Sequence, residues 1–562
     1  ETAPFSLFPT SLSPPPATMR AVSNNNSKRS PAAGSSGEHG GAAAPMRKWM
    51  QVRCGAEPPR RLAWYDPSPD AALDKMLRAA CRIAPDDDYL LCEPGGLPMA
   101  LSSSLPTGQT FEVVRSIKRA GVDEIARATA AGEPVKGADA LVIVDPVSTG
   151  AVVAYQAVHR MGLQIICVWS ESIPDELKGF VAKGMAVPYA GMITHTAGDL
   201  PKTVAAIRAV GIPLVGCIVG CETGVSLGDY LSEALKLPTN GTLKTGLRRN
   251  KYAQTEAVRA AGLEACFQMQ ADSMDGVEAF INAWCPSPYR AVVKPVEGAG
   301  SDGVSIVDSP DGVRRAFRAL EGTKNVLGLT NYSVLLQEYL KGEEYVVDTV
   351  SRDGVHKCVA IWKYDKRVYN GAPVVYYGMQ LLPIEAEPAL AEMVRYTTGV
   401  LDALSITQGC CHSEIMLVDR GPVLVEVNCR VHGGEGTWAP MAEAALGYSA
   451  VSALLDCALD PAAFAALPAV PTNFKVHVME AKLRSPVEGI LKKINTERWE
   501  AITKLRSYSS SCVMVSEGQP ISKTIDACSA SGNVNLVHQS LEVLREDYAT
   551  FHQLVEDGLF EV

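Results

Sequence analysis

From residue 138 the chain alternates between short, wholly apolar runs and amphipathic ones. "ADALVIVD" and "LQIICVWS" are apolar almost throughout, as strands covered on both faces are. Between them, "PVSTGAVVAYQAVHRMG" opens on turn residues and continues at helical spacing. "AGMITHTA", "DLPKTVAAIRAVG", "IPLVGCIVG" and "TGVSLGDYLSEALKL" carry the alternation on to about residue 237. Strand–helix–strand units of this length predict right-handed crossovers in a small doubly wound parallel sheet. Such sheets bind ligands beyond the carboxyl ends of their strands. That singles out "DPVSTG" and Glu222 in "CETG", the latter either as a holder of a substrate amine or as a cap of the next helix. No G-x-G-x-x-G follows the first strand, which argues against a dinucleotide site.

Past residue 250 the pattern changes. "NKYAQTEAVRAAGL" reads as a helix with Lys251 in its first turn, where a cation opposes the helix dipole unless it reaches an anion such as phosphate. In "YRAVVKPVEGAGSDGVSIV" a strand ends at Lys294, a loop runs from Glu297 through Gly298, Ala299, Gly300 and Ser301 to Gly303, and a second strand follows. Glycines there let backbone amides approach phosphates. The lysine precedes the loop and the loop joins two strands, so this is not a Walker loop; it predicts a hairpin able to close over a nucleotide. In "SVLLQEYLKGEEYVVDTV" two apolar strands meet through a polar link, where backbone groups at Glu338 and Leu340 could read an adenine edge and Glu344 could accept from ribose hydroxyls.

"CHSEIMLVDRGPVLVEVNCRVHGG" carries the sharpest signal. Residues 411–418 alternate, "DRGP" supplies turn residues, and 422–431 alternate again. A turn centred on Arg420 sets Glu414 opposite Glu426 and His412 opposite Asn428. One face then carries His412, Glu414, Glu426, Asn428 and Arg430, and the other Ile415, Leu417, Val423, Val425, Val427 and Val431 as a core face. Opposed like charges about 5 Å apart destabilise a strand pair. A hard divalent cation held by carboxylate and amide oxygens offsets that, and Mg²⁺ commonly completes its octahedron with substrate phosphates.

Composition narrows the classes. Hydrophobic residues make up 47% and charged ones 20% of 562, a globular balance with room for several domains. A net charge of −10 disfavours nucleic acid as partner, and no apolar run is long enough to span a bilayer. The 15 cysteines follow no framework spacing, which fits a reducing compartment. Residues 1–63 are rich in Ser, Pro, Ala, Gly and Asn and are expected to be disordered. A native tail, a transit-like segment directing the protein to a plastid or mitochondrion, or an upstream reading frame before Met19 or Met46 would all read this way; cytoplasmic localisation is the simplest expectation.

Taken in order, Lys251, Lys294 with "EGAGSDG", "LLQEYLKGEEYVVD" and "HSEIMLVDRGPVLVEVNCRVHGG" resemble the ATP-grasp superfamily over about residues 237–460. The form of the last motif, with "GCETGVSLGDYLSEALKLPTNG", is similar to the L-amino-acid ligase and carnosine-synthase-like branch of carboxylate–amine ligases. The resemblance implies an α/β (α+β grasp) fold: a disordered segment 1–63, a pre-grasp α/β domain 64–245, a two-lobed grasp domain 246–465 and a C-terminal α+β lobe 466–562. It implies ATP and Mg²⁺, usually two ions, with Mn²⁺ as a substitute. Lys251 and Lys294 would hold the phosphates under the loop from Glu297 to Gly303. Gln337, Glu338 and Leu340 would form the adenine hinge and Glu344 the ribose contact. Glu414, Glu426 and Asn428 would hold the metal, and Arg430 would stabilise the transferring phosphoryl group. Around the substrates stand Glu222, Lys363 in "WKYDKR" with Tyr364 and Lys366 beside it, and Gly433 and Gly434, whose small size suggests a roomy pocket. The implied reaction is ADP-forming ligation of a small carboxylic acid to an amine, with small-molecule partners and self-association into a homodimer left open. A ligase for a non-amino-acid metabolite, or a silent ATP-binding regulator, are the alternatives; intact Glu414, Glu426, Asn428 and Arg430 count against silence.

Overall fold

The structure is a computed structural model that describes residues 46–53, 60–66, 70–81, 89–92, 98–99, 110–115, 139–178, 185–298, 300–325 and 328–562. The chain divides into two compact units, 1–117 and 118–562.

In the first unit Met46–Arg53 pairs antiparallel with Arg60–Asp66 and parallel with Thr110–Arg115, within a five-stranded sheet accompanied by the helix Asp70–Cys81. Met50, Val52, Leu73 and Leu77 are fully buried. Two expected boundaries are therefore corrected. Residues 46–53 and 60–63 belong to a folded sheet, not to a disordered 1–63. The described elements Asp70–Cys81, Tyr89–Cys92, Pro98–Met99 and Thr110–Arg115 belong to this first unit, and none of these strands is part of the doubly wound sheet. A strand completed by a partner some sixty residues downstream leaves little trace in local composition.

The second unit begins with the predicted parallel sheet. Its strands are β1 (Ala140–Val144), β2 (Gln164–Trp169), β3 (Gly191–Thr194) and β4 (Leu214–Val219), in spatial order β3-β2-β1-β4. The helices α1 (Thr149–Met161), α2 (Leu200–Ala209) and α3 (Val225–Leu235) fall where the apolar spacing puts them. The order reverses between β1 and β4, the switch point at which a crevice opens. There the two loops nearly touch: a Cβ on Gly150 would lie 2.5 Å from the Gly220 carbonyl oxygen, so only glycine fits.

After helix α4 (Lys251–Ala260), a four-stranded sheet forms from β5 (Gln268–Ala271), β6 (Ala291–Pro295), β7 (Ser305–Val307) and β8 (Val334–Glu338), in order β5-β8-β6-β7. An eight-stranded antiparallel sheet follows. It contains β9 (Gly342–Arg352), β10 (Val355–Tyr369), β11 (Ala372–Leu381), β12 (Gly409–Val418), β13 (Gly421–Asn428), β14 (His477–Leu483), β15 (Tyr508–Val513) and β16 (Gly532–His538), in order β13-β12-β9-β10-β11-β14-β16-β15. Residues 466–562 thus do not stand apart as a lobe. They have an apolar core of their own around Phe551 and Leu536, but three of their strands continue the central sheet.

The two faces of the central sheet bury different cores. Val346, Val350, Trp362 and Leu381 pack with Leu141, Val153 and Leu454, while Tyr345, Val347, Cys411 and Ile415 pack against the helix Leu390–Ala403. Alternation along β9 therefore aims Glu344 and Asp348 to the same side as Val346 and Val350.

Candidate active site

The β12–β13 hairpin pairs Glu414 with Glu426 and His412 with Asn428, as expected, but for a different reason. The turn has two residues, Asp419 and Arg420, with Val418 facing Gly421. That turn alone would set the ladder one number lower throughout. A bulge between Glu414 and Ile415 inserts Val425 and restores the expected partners. In consequence Leu424 is in the apolar core beside Ile415 and Val427, and Val425 lines the cleft. Assigning Val425 to the core face was wrong for that reason.

The cleft between the two sheets has a volume of about 470 Å³. It is lined by Lys251, Lys294, Gly298, Gly300 and Ser301 on one side, by Gln337, Glu338, Leu340 and Glu344 at the link between β8 and β9, and by Glu414 and Glu426. Ala299 lies outside the described residues. Gly303 turns the loop at φ +69°, a left-handed conformation natural to glycine, and does not line the cleft.

Charge is distributed unevenly here. Lys294 is only 7% exposed, and no salt bridge reaches it among the described residues. Burial depresses its pKa, Glu426 opposing and Lys251 adding to the effect. Lys251 sits in the first turn of α4, capped by Asn250, and its Nζ lies 2.6 Å from Glu426 Oε2 and donates to the Gly298 carbonyl at 3.0 Å. Glu344 is held by Lys366 at 2.6 Å; burial raises its pKa, and neighbouring Glu414 raises it further against Lys366. Burial would raise Glu414 as well, but the His412 hydrogen bond and the Lys366 charge hold it well below the usual range. His412 Nε2 stands 3.4 Å from Glu414 Oε1. Burial works against charging His412, and its hydrogen bonds to Asp348 and Glu414 push it up to about 9. Glu344, Glu414 and Glu426 thus each have a protein cation beside them, Lys366 serving the first two.

The oxygen donors suit a hard cation. Glu414 and Glu426 face each other, and the buried Asn428 side-chain oxygen accepts from Arg430 Nη2 at 3.3 Å. Among the described residues Asn428 Nδ2 has no partner, which leaves the amide free to turn its oxygen to a metal. These three residues fit Mg²⁺.

Arg430 is brought in beside them by Glu222, whose Oε2 lies 3.1 Å from Arg430 Nε. Glu222 Oε1 also pairs with Arg249 Nη1 at 2.7 Å, and Arg249 reaches Glu297 of the glycine loop at 3.4 Å. Burial would raise the Glu222 pKa, and the two guanidiniums more than reverse this. The switch point of the parallel sheet therefore supplies an anchor for Arg430. The segment after Arg430 is pinned at Gly433, whose carbonyl accepts from Thr149 Oγ1 at 3.1 Å and Trp438 Nε1 at 2.6 Å. A Cβ at Gly433 would meet nothing within 4 Å, in keeping with a roomy pocket.

Two expectations fail locally. Lys363 does not face the cleft. Its Nζ pairs with Glu343 and Glu387, both at 2.9 Å, because alternation along β10 sends Tyr364 and Lys366 inward instead. The Glu338 amide is already donated to the Phe267 carbonyl at 2.9 Å, and its carboxylate accepts from the Phe267 amide and Arg420, so that N–H is not available to an adenine. Sequence reasoning also passed over Arg249, Asp348 and His432; the even-numbered face of β9 could have pointed to Asp348.

The ATP-grasp domain family matches residues 249–434. Dapdiamide A synthase of Enterobacter agglomerans is 28% identical over 431 residues, which cover 74% of this chain and 97% of that one. The L-arginine-specific L-amino acid ligase of Bacillus subtilis is 28% identical over 214 residues, 38% of this chain and 50% of that one. Among solved structures, the L-amino acid ligase of Bacillus licheniformis superposes with a TM-score of 0.58 at 19% identity, over 75% of this chain and 98% of that one. Together with the opposed carboxylates and the lysine-floored cleft, these matches show an ATP-grasp domain at residues 249–434, in a chain similar to dapdiamide A synthase and the L-amino acid ligases.

Proposed function

We propose that the protein joins an amino acid or another small carboxylic acid to an amine through an acyl-phosphate, releasing ADP and phosphate. One observation carries this reading: Lys294 is a buried ammonium without a carboxylate partner among the described residues, in a cleft that also holds two opposed carboxylates. A nucleotide polyphosphate with a divalent cation satisfies both. The dapdiamide synthase and L-amino acid ligase relatives support amide formation as the outcome.

A carboxylate is a poor electrophile because its leaving group would be oxide. Lys251 and Lys294 hold the phosphates while the loop from Glu297 to Gly303 excludes water. Glu414, Glu426 and Asn428 would hold Mg²⁺, as one ion or two and with Mn²⁺ as a substitute, and the bound cation would supply neutralisation of phosphate charge. The substrate carboxylate oxygen attacks the γ-phosphorus, and the bond from that phosphorus to the bridging oxygen breaks, leaving ADP. Arg430 spreads its guanidinium fork over the transferring phosphoryl group. The amine nitrogen then attacks the acyl carbon, phosphate departs with the electron pair of the C–O bond, and the ammonium proton passes to phosphate or water. Glu338 and Leu340 would border the adenine, the former through its carbonyl, and Gly433 and Gly434 would leave space for the acyl side chain.

The test is incubation with ATP, Mg²⁺ and a panel of amino acids, singly and in pairs, with nucleotide analysis and mass spectrometry of products. ADP formed in step with an amide is expected. AMP formed in step with amide would overturn the acyl-phosphate route, and ATP hydrolysis without amide for every acid and amine would overturn the ligase reading.

A further inference from the structure

Beside the cleft, on the same face of the central sheet as Glu344 and Glu414, two histidines converge on one carboxylate. Asp348 on β9 faces His412 on β12, which faces Asn428 on β13, so the three form one row across three strands. Asp348 is 2% exposed, His412 3% and His432 6%. Asp348 Oδ1 lies 2.9 Å from His412 Nδ1. Asp348 Oδ2 accepts from Trp362 Nε1 at 3.1 Å and lies 3.2 Å from His432 Nδ1. The far nitrogen of His412 touches Glu414. His432 follows Arg430 by two residues and stacks on Trp438, ring centroids 5.1 Å apart, the tryptophan that also holds Gly433.

The ligand atoms of Asp348, His412 and His432 lie within 4.8 Å of one another, close enough to bracket a metal ion. Trp362 Nε1–H, a fixed donor, already holds Asp348 Oδ2, and the two imidazole nitrogens face the same carboxylate at hydrogen-bond distance, where protonated they donate to it. The arrangement instead repeats the outer-shell logic of metal sites, in which a carboxylate fixes an imidazole and the imidazole fixes what it touches.

We infer that Asp348 is a positioning residue of this ligase: through His412 it fixes the orientation of the Glu414 carboxylate toward the metal, and through His432 it fixes the segment that carries Arg430. The inference rests on the functional reading above. Asp348 touches neither nucleotide nor metal; it removes the rotational freedom that His412 and Glu414 would otherwise have in an apo cleft, so that metal binding does not have to order them.

The test uses Mn²⁺ as a spectroscopic probe on the full chain with ADP, free Mn²⁺ being read by electron paramagnetic resonance, and metal-free ADP affinity measured alongside. Asp348→Asn is expected to weaken Mn²⁺ binding about ten- to a hundredfold with metal-free ADP affinity unchanged. His412→Asn keeps a donor toward Asp348 but cannot reach Glu414, and should show the same loss. His412→Gln places an amide near the position of Nε2 and should recover part of it. The double variant Asp348→Asn with His412→Asn should be no weaker than the worse single one, since one acts through the other. Mn²⁺ affinity at the wild-type level in His412→Asn, or losses that add in the double variant, would overturn the inference, and the histidine variants decide the matter if Asp348→Asn does not fold. Wild-type protein that binds no Mn²⁺ with ADP is a separate result, which overturns the functional reading itself.

Discussion

Two buried cations, Arg248 and Lys294, show how differently one chain treats the same electrostatic problem. Arg248 is 1% exposed and is surrounded by acceptors: Asp229 Oδ2 at 2.5 Å and the carbonyls of Gly241, Asn240 and Ser405 at 2.8, 2.9 and 3.3 Å. Lys294 is nearly as buried and has no such shell. The first charge ties α3 to the loop before α4 and to the turn after the helix Leu390–Ala403, and its partners are all protein. The second is left with its valence directed at a cleft. A buried cation paired with a protein carboxylate and carbonyls reports architecture; one facing a cleft without a carboxylate partner reports a ligand.

Removing each should therefore have opposite consequences for stability. Arg248→Met strands Asp229, whose carboxyl burial already raises while Arg248 restrains it. The expected loss is about 3–5 kcal/mol, the scale for breaking a buried pair, read as a drop in the denaturant midpoint. A midpoint at the wild-type value would show that saturation carries no structural weight here.

Glu426→Gln probes the functional side of the comparison. Turnover should fall at least about a hundredfold, as when one preorganised electrostatic contact is lost. The stability of metal-free protein should change by less than about 1 kcal/mol, because repulsion from Glu414 and attraction to Lys251 are removed together. Mg²⁺-dependent ADP release and thermal unfolding of metal-free protein check the two halves separately. Wild-type turnover would end the opposed-carboxylate reading of the metal site.

Lys294→Met should abolish nucleotide binding, measured by calorimetry, while stabilising the free protein by on the order of 1 kcal/mol as an unpaired buried charge is removed. The pH dependence has a definite sign. The folded-state pKa is depressed below the unfolded value, so the penalty is fully present below the folded pKa. Stability is regained as pH rises from there toward the unfolded value near 10.4. The alkaline gain should be present in wild type and missing in Lys294→Met. A variant less stable than wild type would place Lys294 among the structural cations with Arg248.

Much of this was legible in the chain and some was not, for physical reasons. The parallel sheet and its helices could be read because continuous apolar runs and helical spacing are local signals. Glu414 and Glu426 could be paired because side chains alternate, although two offsetting shifts, a shorter turn and a bulge, were needed for the expected partners to be the real ones. The sheet that begins at Met46 was hidden because its first strand pairs with Thr110–Arg115, some sixty residues downstream. The cations that attend each acid, Lys251 on Glu426 and Lys366 on Glu344, depend on how sheets stack and not on spacing. Lys363 was misassigned because Tyr364 and Lys366, one and three residues on and so of the other parity, take the inward face.

The bulge at Val425 has a consequence for how this cleft can change shape. Val425 stands outside the ladder, since Ile415 pairs with Leu424 and Glu414 with Glu426 on either side of it. Its side chain borders the cleft, yet no strand partner depends on it. Deleting that one residue would leave Leu424 and Glu426 adjacent, with the same partners and the same alternation, and would remove a wall from the nucleotide side. The hairpin is thus tolerant of a change in length at a single point, and the pocket can be remodelled by insertion or deletion there while the two carboxylates remain opposed.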